Sequence, residues 1–409
     1  MLIRVIKKVD EIIKREKTKE EARVEKKSFT RKRKMGFEDI IYYLMDMRKT
    51  TLQTRANKYM KGKKGKKISE QAISKARNKM DHSPFETMVR ELVEEEYKRK
   101  ELKTWQGYYV FGIDGSYYIL PKNEELRAKF GTRGEGSRCV SAGSSVLYDV
   151  LNNWPIDPIL THSNMNERAE CEKHLEYLCE KMPEIAKKSL ILIDRGYPSV
   201  DLFKAFNERE IKFLARCAKN YCKATENAPM GDSVVELSKG LSVRVFKFVL
   251  ETGEVETLIT NLFDVSSAEF PALYAMRWGI ETFYFKLKKI VCIEKFSGRT
   301  ENTIRQDFWA SCVVMIAVNA AQHDADALIA LRHSSKSNKY SYIARSSDLV
   351  VTLRDNFIFA VFQNDPHASL ILLDIIECCS YSITPIIPDR HFPRSFSSFP
   401  YHDNLKSHL

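Results

Sequence analysis

The segment YAMRWGIETFYFKLKK, Tyr274 to Lys289, sets a glutamate, an arginine and lysines among large apolar side chains. At about 100° per residue a helix brings Tyr274, Arg277, Glu281 and Lys288 onto one stripe roughly 60° wide. Leu273, Met276, Ile280, Phe283 and Leu287 flank that stripe. Gly279 costs about 1 kcal/mol inside a helix and signals the close approach of another backbone. Two further carboxylates belong to apolar strands: Asp114 within WQGYYVFGIDGSYYIL (Trp105–Leu120), and Asp194 at the end of SLILID. A carboxylate beside Phe111 and Ile113 is costly to bury unless it is paired, hydrogen-bonded or bound to a metal. Asp194 falls at the C-terminal end of its strand, where α/β sheets place their chemistry. On these features alone each aspartate reads equally as a turn former or an ion-pair partner, and the helical stripe as a solvated face.

The elements that must position these groups are readable from local pattern. Aromatic and β-branched residues make Trp105–Leu120 one long strand or the first strand of a hairpin. Gly196 and Pro198 close the strand before Asp194, and Ser199 caps the helix VDLFKAFNER. Ser266 with Glu269 forms a capping box, so the polar-striped helix is expected to begin near Ser267. Between Asp194 and that helix, LSVRVFKFVL and VETLITNLF, separated by ETGE, read as a β-hairpin. Gln306–Gln322 reads as a buried packing helix with Trp309 in the core. From about Ser346 short apolar runs alternate with prolines, and HFPRSFSSFPYHDNLKSHL reads as a loosely ordered tail whose histidines lack metal spacing.

Charge divides the chain more sharply than hydropathy does. Residues 1–100 hold 30 Lys and Arg against 16 Asp and Glu, a net +14, while the remainder holds 36 against 38. The excess sits in KKSFTRKRK (Lys26–Lys34) and KYMKGKKGKK (Lys58–Lys67), on either side of the apolar FEDIIYYLMDM. Basic clusters around a small helical core suit nucleic acid, because neutralising phosphates releases counterions; a solvated surface is the alternative. Within SEQAISKARNKM (Ser69–Met80), Ser69 can cap a helix with Ala72, Ile73 and Ala76 on one side and Lys75, Arg77 and Lys79 largely elsewhere, as a recognition helix would have them. The chain has 409 residues, 44% of them hydrophobic and 11% aromatic, enough for two or three folded domains. No apolar run approaches the roughly 18 residues of a membrane span, and the N-terminal segment is too charged for a secretory signal. Nine scattered cysteines fit a reducing compartment, and neither Cys217 with Cys222 nor Cys378 with Cys379 has the partner pair a zinc site needs. The expected location is cytoplasmic, nucleoid-associated, in a prokaryotic cell.

Tyr274, Arg277, Glu281 and Lys288 match Y-x2-R-x3-E-x6-K, and GIDGS around Asp114 and IDRGY around Asp194 precede them in order, with SVLYDVLNNWPID (Ser145–Asp157) between. In these motifs the chain resembles DDE transposases of the insertion-sequence-four family, over roughly residues 29–325. The resemblance implies an α/β, ribonuclease-H-like catalytic core interrupted by a β-rich insertion, with a helical basic N-terminal domain. The implied division is a DNA-binding region at 1–100, core at 101–218, insertion at 219–265, core again at 266–345, and a C-terminal region at 346–409. It implies Asp114, Asp194 and Glu281 as catalytic metal ligands for Mg2+, with Mn2+ able to substitute. Tyr274, Arg277 and Lys288 are the implied phosphate contacts, joined by Lys75, Arg77 and Lys79 from the basic region. The physical reading agrees, since three convergent carboxylates can hold two divalent cations about 3.5–4 Å apart for an in-line phosphoryl displacement.

The implied partners are the terminal inverted repeats and target DNA, both double-stranded, bound by a homodimer with no membrane involved; the implied reaction is cut-and-paste strand cleavage and strand transfer. Relatives that pass through a DNA hairpin use a tryptophan in the insertion to hold a flipped base. This sequence has no tryptophan between Trp154 and Trp278, leaving Phe246, Phe248 or Tyr221 as rings that could stack a base. Two alternatives stand beside the transposase: a nuclease on the same core, and a transposase-derived DNA-binding protein without catalysis, against which the intact acidic triad argues.

Overall fold

The computed structural model describes residues 1–46, 50–62, 67–134, 139–218, 220–334, 339–362 and 367–387. The expected C-terminal tail lies outside the described residues, as do residues 63–66 of the second basic cluster. By packing, the chain divides into two compact units. One comprises Met1–Leu92, Ile119–Lys129 and Phe285–Leu409, the other Val93–Tyr118 and Phe130–Tyr284.

The second unit is a mixed α/β structure built on one sheet. Its strands among the described residues are β1 (Tyr109–Ile119), β2 (Thr132–Arg133), β3 (Cys139–Asp149), β4 (Trp154–His162), β5 (Ser189–Ile193), β6 (Lys212–Cys217), β7 (Gly231–Ser238), β8 (Leu241–Val249) and β9 (Val255–Thr260). They run in the order β2-β3-β1-β5-β6-β9-β8-β7, with β4 also paired to β3. β1, β5 and β6 are parallel, whereas β9 joins β6 antiparallel. All five residues of β5 are buried, which is why it reads as an unbroken aliphatic run rather than an alternation. Helix Val200–Glu208 crosses from β5 to β6, and Ser199 caps it as expected, its Oγ accepting the Leu202 N–H at 3.1 Å.

The expected hairpin is β8 and β9. Its turn uses Gly253 at φ +82°, a left-handed conformation that favours glycine. Through the β9–β6 pairing this stretch continues the main sheet. One core cluster joins alternate residues of adjacent strands, Val110, Leu190, Leu192, Leu214 and Leu258, to Phe270 and Leu273 of the helix Phe270–Ala275. Phe246 and Phe248 pack on that cluster with rings 5.4 Å apart, and Tyr221 lies edge-on to Phe203 at 6.3 Å. The three rings offered as base-stacking groups are thus engaged in packing.

Polar networks hold the other end of the sheet. The buried Asp149, at the end of β3, accepts hydrogen bonds from the Leu151 and Asn152 N–H groups at 2.9 Å, from Asn152 Nδ2 at 2.8 Å and from the Tyr97 hydroxyl. Burial pushes its carboxyl up to about 6 against these bonds. Between β3, β4 and helix Glu167–Lys181, Ser145 Oγ lies 2.9 Å from His174 Nε2, and His174 Nδ1 lies 2.6 Å from Asp157 Oδ2. This chain has the connectivity of a hydrolase triad, but none of the three residues is more than 2% exposed. It serves as an internal brace that no substrate reaches.

The first unit is largely helical, with a small pair of strands, β10 (Ser341–Ala344) and β11 (Ile383–Ile386). Helix Leu2–Lys14 turns Leu2, Val5, Ile6, Val9, Ile12 and Ile13 inward, the i, i+3, i+4 pattern of an amphipathic helix. It packs on the long helix Glu301–His333. That helix corrects an expectation: the packing segment is 33 residues long, and by length and composition it could cross a membrane, with a mean hydropathy of 1.2 over 18 residues. Most of that window is buried inside the unit, and Gln306, Asp307, Ser311, Asn319 and Gln322 are buried along it.

A second correction concerns the expected recognition helix. Ser69 does cap it, accepting the Ala72 N–H at 3.3 Å, and the helix runs Glu70–Arg77. Its inward face, however, is Ile73, Arg77 and Met80, while Ala72 is exposed. Arg77 donates to Gln306 Oε1 at 2.6 Å, Ser297 Oγ at 2.7 Å and Asp307 Oδ1 at 2.9 Å. A guanidinium buried and committed in this way braces the protein and is turned away from any DNA. Lys75 is exposed and Lys79 half-buried, and the Lys and Arg side chains of Lys26–Lys34 are exposed. Removing one partner of a buried ion pair leaves the other charge uncompensated. Arg77→Ala should therefore lower the unfolding free energy by about 3–5 kcal/mol in urea denaturation. Lys75→Ala should stay within about 0.5 kcal/mol of wild type; equal effects would return Arg77 to the surface.

Candidate active site

The two aspartates meet because of strand register. β1 and β5 are parallel and pair Gly112 with Leu192, so two residues further along each chain Asp114 and Asp194 stand side by side. Adjacent strands lie roughly 4.8 Å apart, close enough for their charges to interact strongly. Each carboxylate is first held by its own loop: Asp114 Oδ1 accepts the Gly115 N–H at 2.9 Å, and Asp194 Oδ1 accepts the Arg195 N–H at 2.7 Å.

The third carboxylate arrives on a helix that differs from the expected one. Ser266 makes no side-chain cap, and a short 3₁₀ turn, Ser267–Glu269, leads into Phe270–Ala275. Helicity then tightens at Met276 and Arg277, where successive N–H groups bond three residues back rather than four, before Trp278–Phe285 resumes it. This tighter turn rotates side chains farther per residue and replaces the single stripe of a continuous helix. Arg277 points inward with its side chain 7% exposed, while Trp278 is exposed. Gly279 does meet another backbone: a Cβ there would lie 3.3 Å from Val150 Cβ and 3.6 Å from its Cα. Gly112 is close to Val150 and Ile280 in the same way, so small residues let the helix settle on β1. The Tyr284 hydroxyl then ties the helix to β1, donating to the Asp114 carbonyl at 2.9 Å.

Arg277 is the hub of the assembled site. Its Nη2 lies 2.6 Å from Glu281 Oε1 and 3.9 Å from Asp194 Oδ2, and its Nη1 lies 3.8 Å from Asp114 Oδ2. The Tyr274 hydroxyl lies 3.3 Å from Asp194 Oδ1. The Asp114 carboxyl is raised to about 6, by burial first and then by Glu281 and Asp194, with Arg277 and the Gly115 N–H acting against the rise. Burial also opposes the charge of Arg277, but Tyr274 and the surrounding carboxylates hold its pKa above the ordinary value. Tyr274 is raised as well, by burial first and then by Asp194.

Asp114, Asp194, Glu281, Arg277 and Tyr274 are therefore brought together within one unit. Lys288, half-buried on the π-helical turn Lys286–Ile290, belongs to the other unit, as do Lys75 and Lys79. Local pattern gave no role to Tyr284, whose only signal is its place one turn beyond Glu281. The Tyr197 hydroxyl is buried and, among the described residues, has no hydrogen-bond partner; Arg277 Nε is likewise buried and unpaired.

Among the described residues no three acidic, histidine or cysteine side chains stand close enough to share one metal ion as they are placed. The guanidinium of Arg277 takes the central position. By chemistry the set still fits a hard divalent cation: it is all oxygen, three carboxylates surround one fixed positive charge, and the buried Tyr197 hydroxyl lacks a partner among the described residues. An ion entering the centre requires Arg277 to yield. If the carboxylates depend on this one cation, Arg277→Gln should lower the melting temperature, and by less when Asp114→Asn is already present. The double-mutant cycle should give a coupling of about 1 kcal/mol; additive effects would remove Arg277 from the hub.

The transposase DDE domain family model matches residues 105–319 of this chain. Among solved structures the chain is similar to piggyBac transposase in a synaptic complex with hairpin DNA, at 12% identity over 90% of this chain and 84% of that one, with a TM-score of 0.46. No curated protein matches the sequence. The family match spans both aspartates and the helix bearing Glu281 and covers more than half of the 409 residues, and the chain belongs to the transposase DDE domain family.

Proposed function

We propose that this protein is the transposase of an insertion sequence of the insertion-sequence-four kind, cutting DNA at terminal repeats and joining the freed ends to target DNA. The observation that carries this reading is the meeting of Asp114, Asp194 and Glu281 around a single guanidinium. The strand order β4-β3-β1-β5-β6, with β1, β5 and β6 parallel, supports a ribonuclease-H-like core at 101–218 and 266–345. In this reading 219–265 is the insertion, 346–409 a C-terminal region, and 1–100 the DNA-binding region.

Asp114, Asp194 and Glu281 would hold the divalent cations, Mg2+ or Mn2+ in its place. Such cations, when bound, polarise the scissile phosphate and stabilise the attacking and leaving oxygens. The chain's own residues do the rest. The β1–β5 register holds two carboxylates at fixed spacing, and Tyr284 fixes the height of the helix carrying the third. Arg277 shields the three from mutual repulsion and has a planar fork suited to a phosphate once it turns outward. Tyr274 and Lys288 complete the signature as phosphate contacts, and the exposed lysines and arginines of residues 26–34, with Lys75 and Lys79, supply non-specific attraction to duplex DNA.

The test is incubation with linear DNA carrying the repeats that flank the reading frame, a plasmid target and Mg2+. Cleavage with joining is expected from the wild type. Asp114→Asn, Asp194→Asn and Glu281→Gln should each lose cleavage by roughly a thousandfold or more, without additivity, while still binding ends. Undiminished cleavage in any of them would remove that residue from the site, and cleavage without joining would make the protein a nuclease. Neutralising Lys75 and Lys79 together should flatten log K against log salt by about 0.9 for each phosphate they neutralise in the wild type. Substitution suits this test better than truncation, because residues 1–92 share a packed unit with 285–409.

A further inference from the structure

A fourth carboxylate stands at the two aspartate loops. Glu167 opens the helix Glu167–Lys181, whose first turn is held by Asn166 Oδ1 accepting the Arg168 and Ala169 N–H groups at 3.0 and 3.3 Å. Arg168 Nε donates to the Tyr197 carbonyl at 3.1 Å, which binds this helix end to the loop after Asp194. A glycine follows each aspartate, Gly115 directly and Gly196 one residue later, and Glu167 lies against both. A Cβ on Gly196 would fall 2.5 Å from Glu167 Oε2; one on Gly115 would fall 2.4 Å from Met165 Cε and 3.5 Å from Glu167 Oε1. One oxygen of the carboxylate thus faces the chain beside Asp194 and the other faces the chain beside Asp114.

A second feature points to a ligand at the same place. Tyr197 is 1% exposed and its hydroxyl has no hydrogen-bond partner among the described residues. The groups it feels most strongly, after burial itself, are Asp114 and then Glu167. A buried hydroxyl left without a bond at the loop beside Gly196 is costly unless another oxygen ligand completes the arrangement. Charge points the same way. Asp114, Asp194 and Glu281 less Arg277 leave two negative charges, enough for one divalent cation. With Glu167 included and Arg277 turned to a phosphate the total is four, matching two such cations.

We propose that Glu167 is a fourth acidic residue of the metal site, binding the divalent cation from the side of the two aspartate loops, with Gly196 leaving the room it needs. This rests on the metal-dependent reading above. It is tested on the full chain by titrating Mn2+ calorimetrically, without DNA, into wild type, Glu167→Gln, Gly196→Ala and Asp114→Asn, with metal-free melting curves to verify folding. Glu167→Gln should weaken Mn2+ about tenfold or more, or remove one bound ion. Gly196→Ala keeps every charge but crowds the Glu167 carboxylate, and should shift affinity in the same direction by a smaller factor. Unchanged Mn2+ binding in Glu167→Gln together with loss in Asp114→Asn would overturn the role of Glu167 and leave the metal site standing. Unchanged binding in both would overturn the metal site itself.

Discussion

Three carboxylates at the end of one sheet repel each other and pay for burial, and a single guanidinium reconciles them. Asp114 shows the tension most clearly: burial raises its carboxyl, and Arg277 is the principal group acting against that rise. The contacts of Arg277 are uneven, close to Glu281 and near 4 Å to both aspartates. It is bound to the helix and only leans on the strands. A cation held in that manner keeps the carboxylates assembled while remaining replaceable by a stronger one, since a divalent ion offers twice the charge in a smaller volume.

Everything nearby serves to keep the four groups in register. Parallel pairing of β1 with β5 aligns the aspartates. Gly112 and Gly279 allow close approach around Val150, and the Tyr284 hydroxyl reaches the carbonyl of Asp114 itself. The same economy appears at the far end of β3, where Asp149 collects donors from the turn and from Tyr97, and in the buried Ser145–His174–Asp157 brace. The brace also illustrates why a constellation of catalytic residue types is not a site: full burial denies it any substrate.

Much of this was legible in the residues alone, wherever the cause was local. Aromatic and β-branched residues marked β1, an apolar run marked β5, and Ser199 and Ser69 marked their helix starts. ETGE marked the β8–β9 turn, and the motifs around Asp114, Asp194 and Glu281 pointed to a DDE transposase. Each of these signals acts over a few residues, through caps, glycine conformation or side-chain periodicity, so sequence by itself determined them.

What only the tertiary structure decided has a common physical reason, which is contact between residues distant along the chain. Arg77 carries the charge of a DNA contact, yet it is consumed by Asp307 and Gln306, some 230 positions away. Phe246 and Phe248 have the rings to stack a base, and both lie half-buried against the core cluster. The even helical stripe assumed a uniform turn, and the tightened turn at Met276 and Arg277 sent the guanidinium inward and Trp278 outward. Glu167 belongs to no motif at all; it reaches the aspartate loops only because the helix after β4 is anchored to the carbonyl of Tyr197. A sequence records which charges exist, whereas burial and fold decide which of them must find one another.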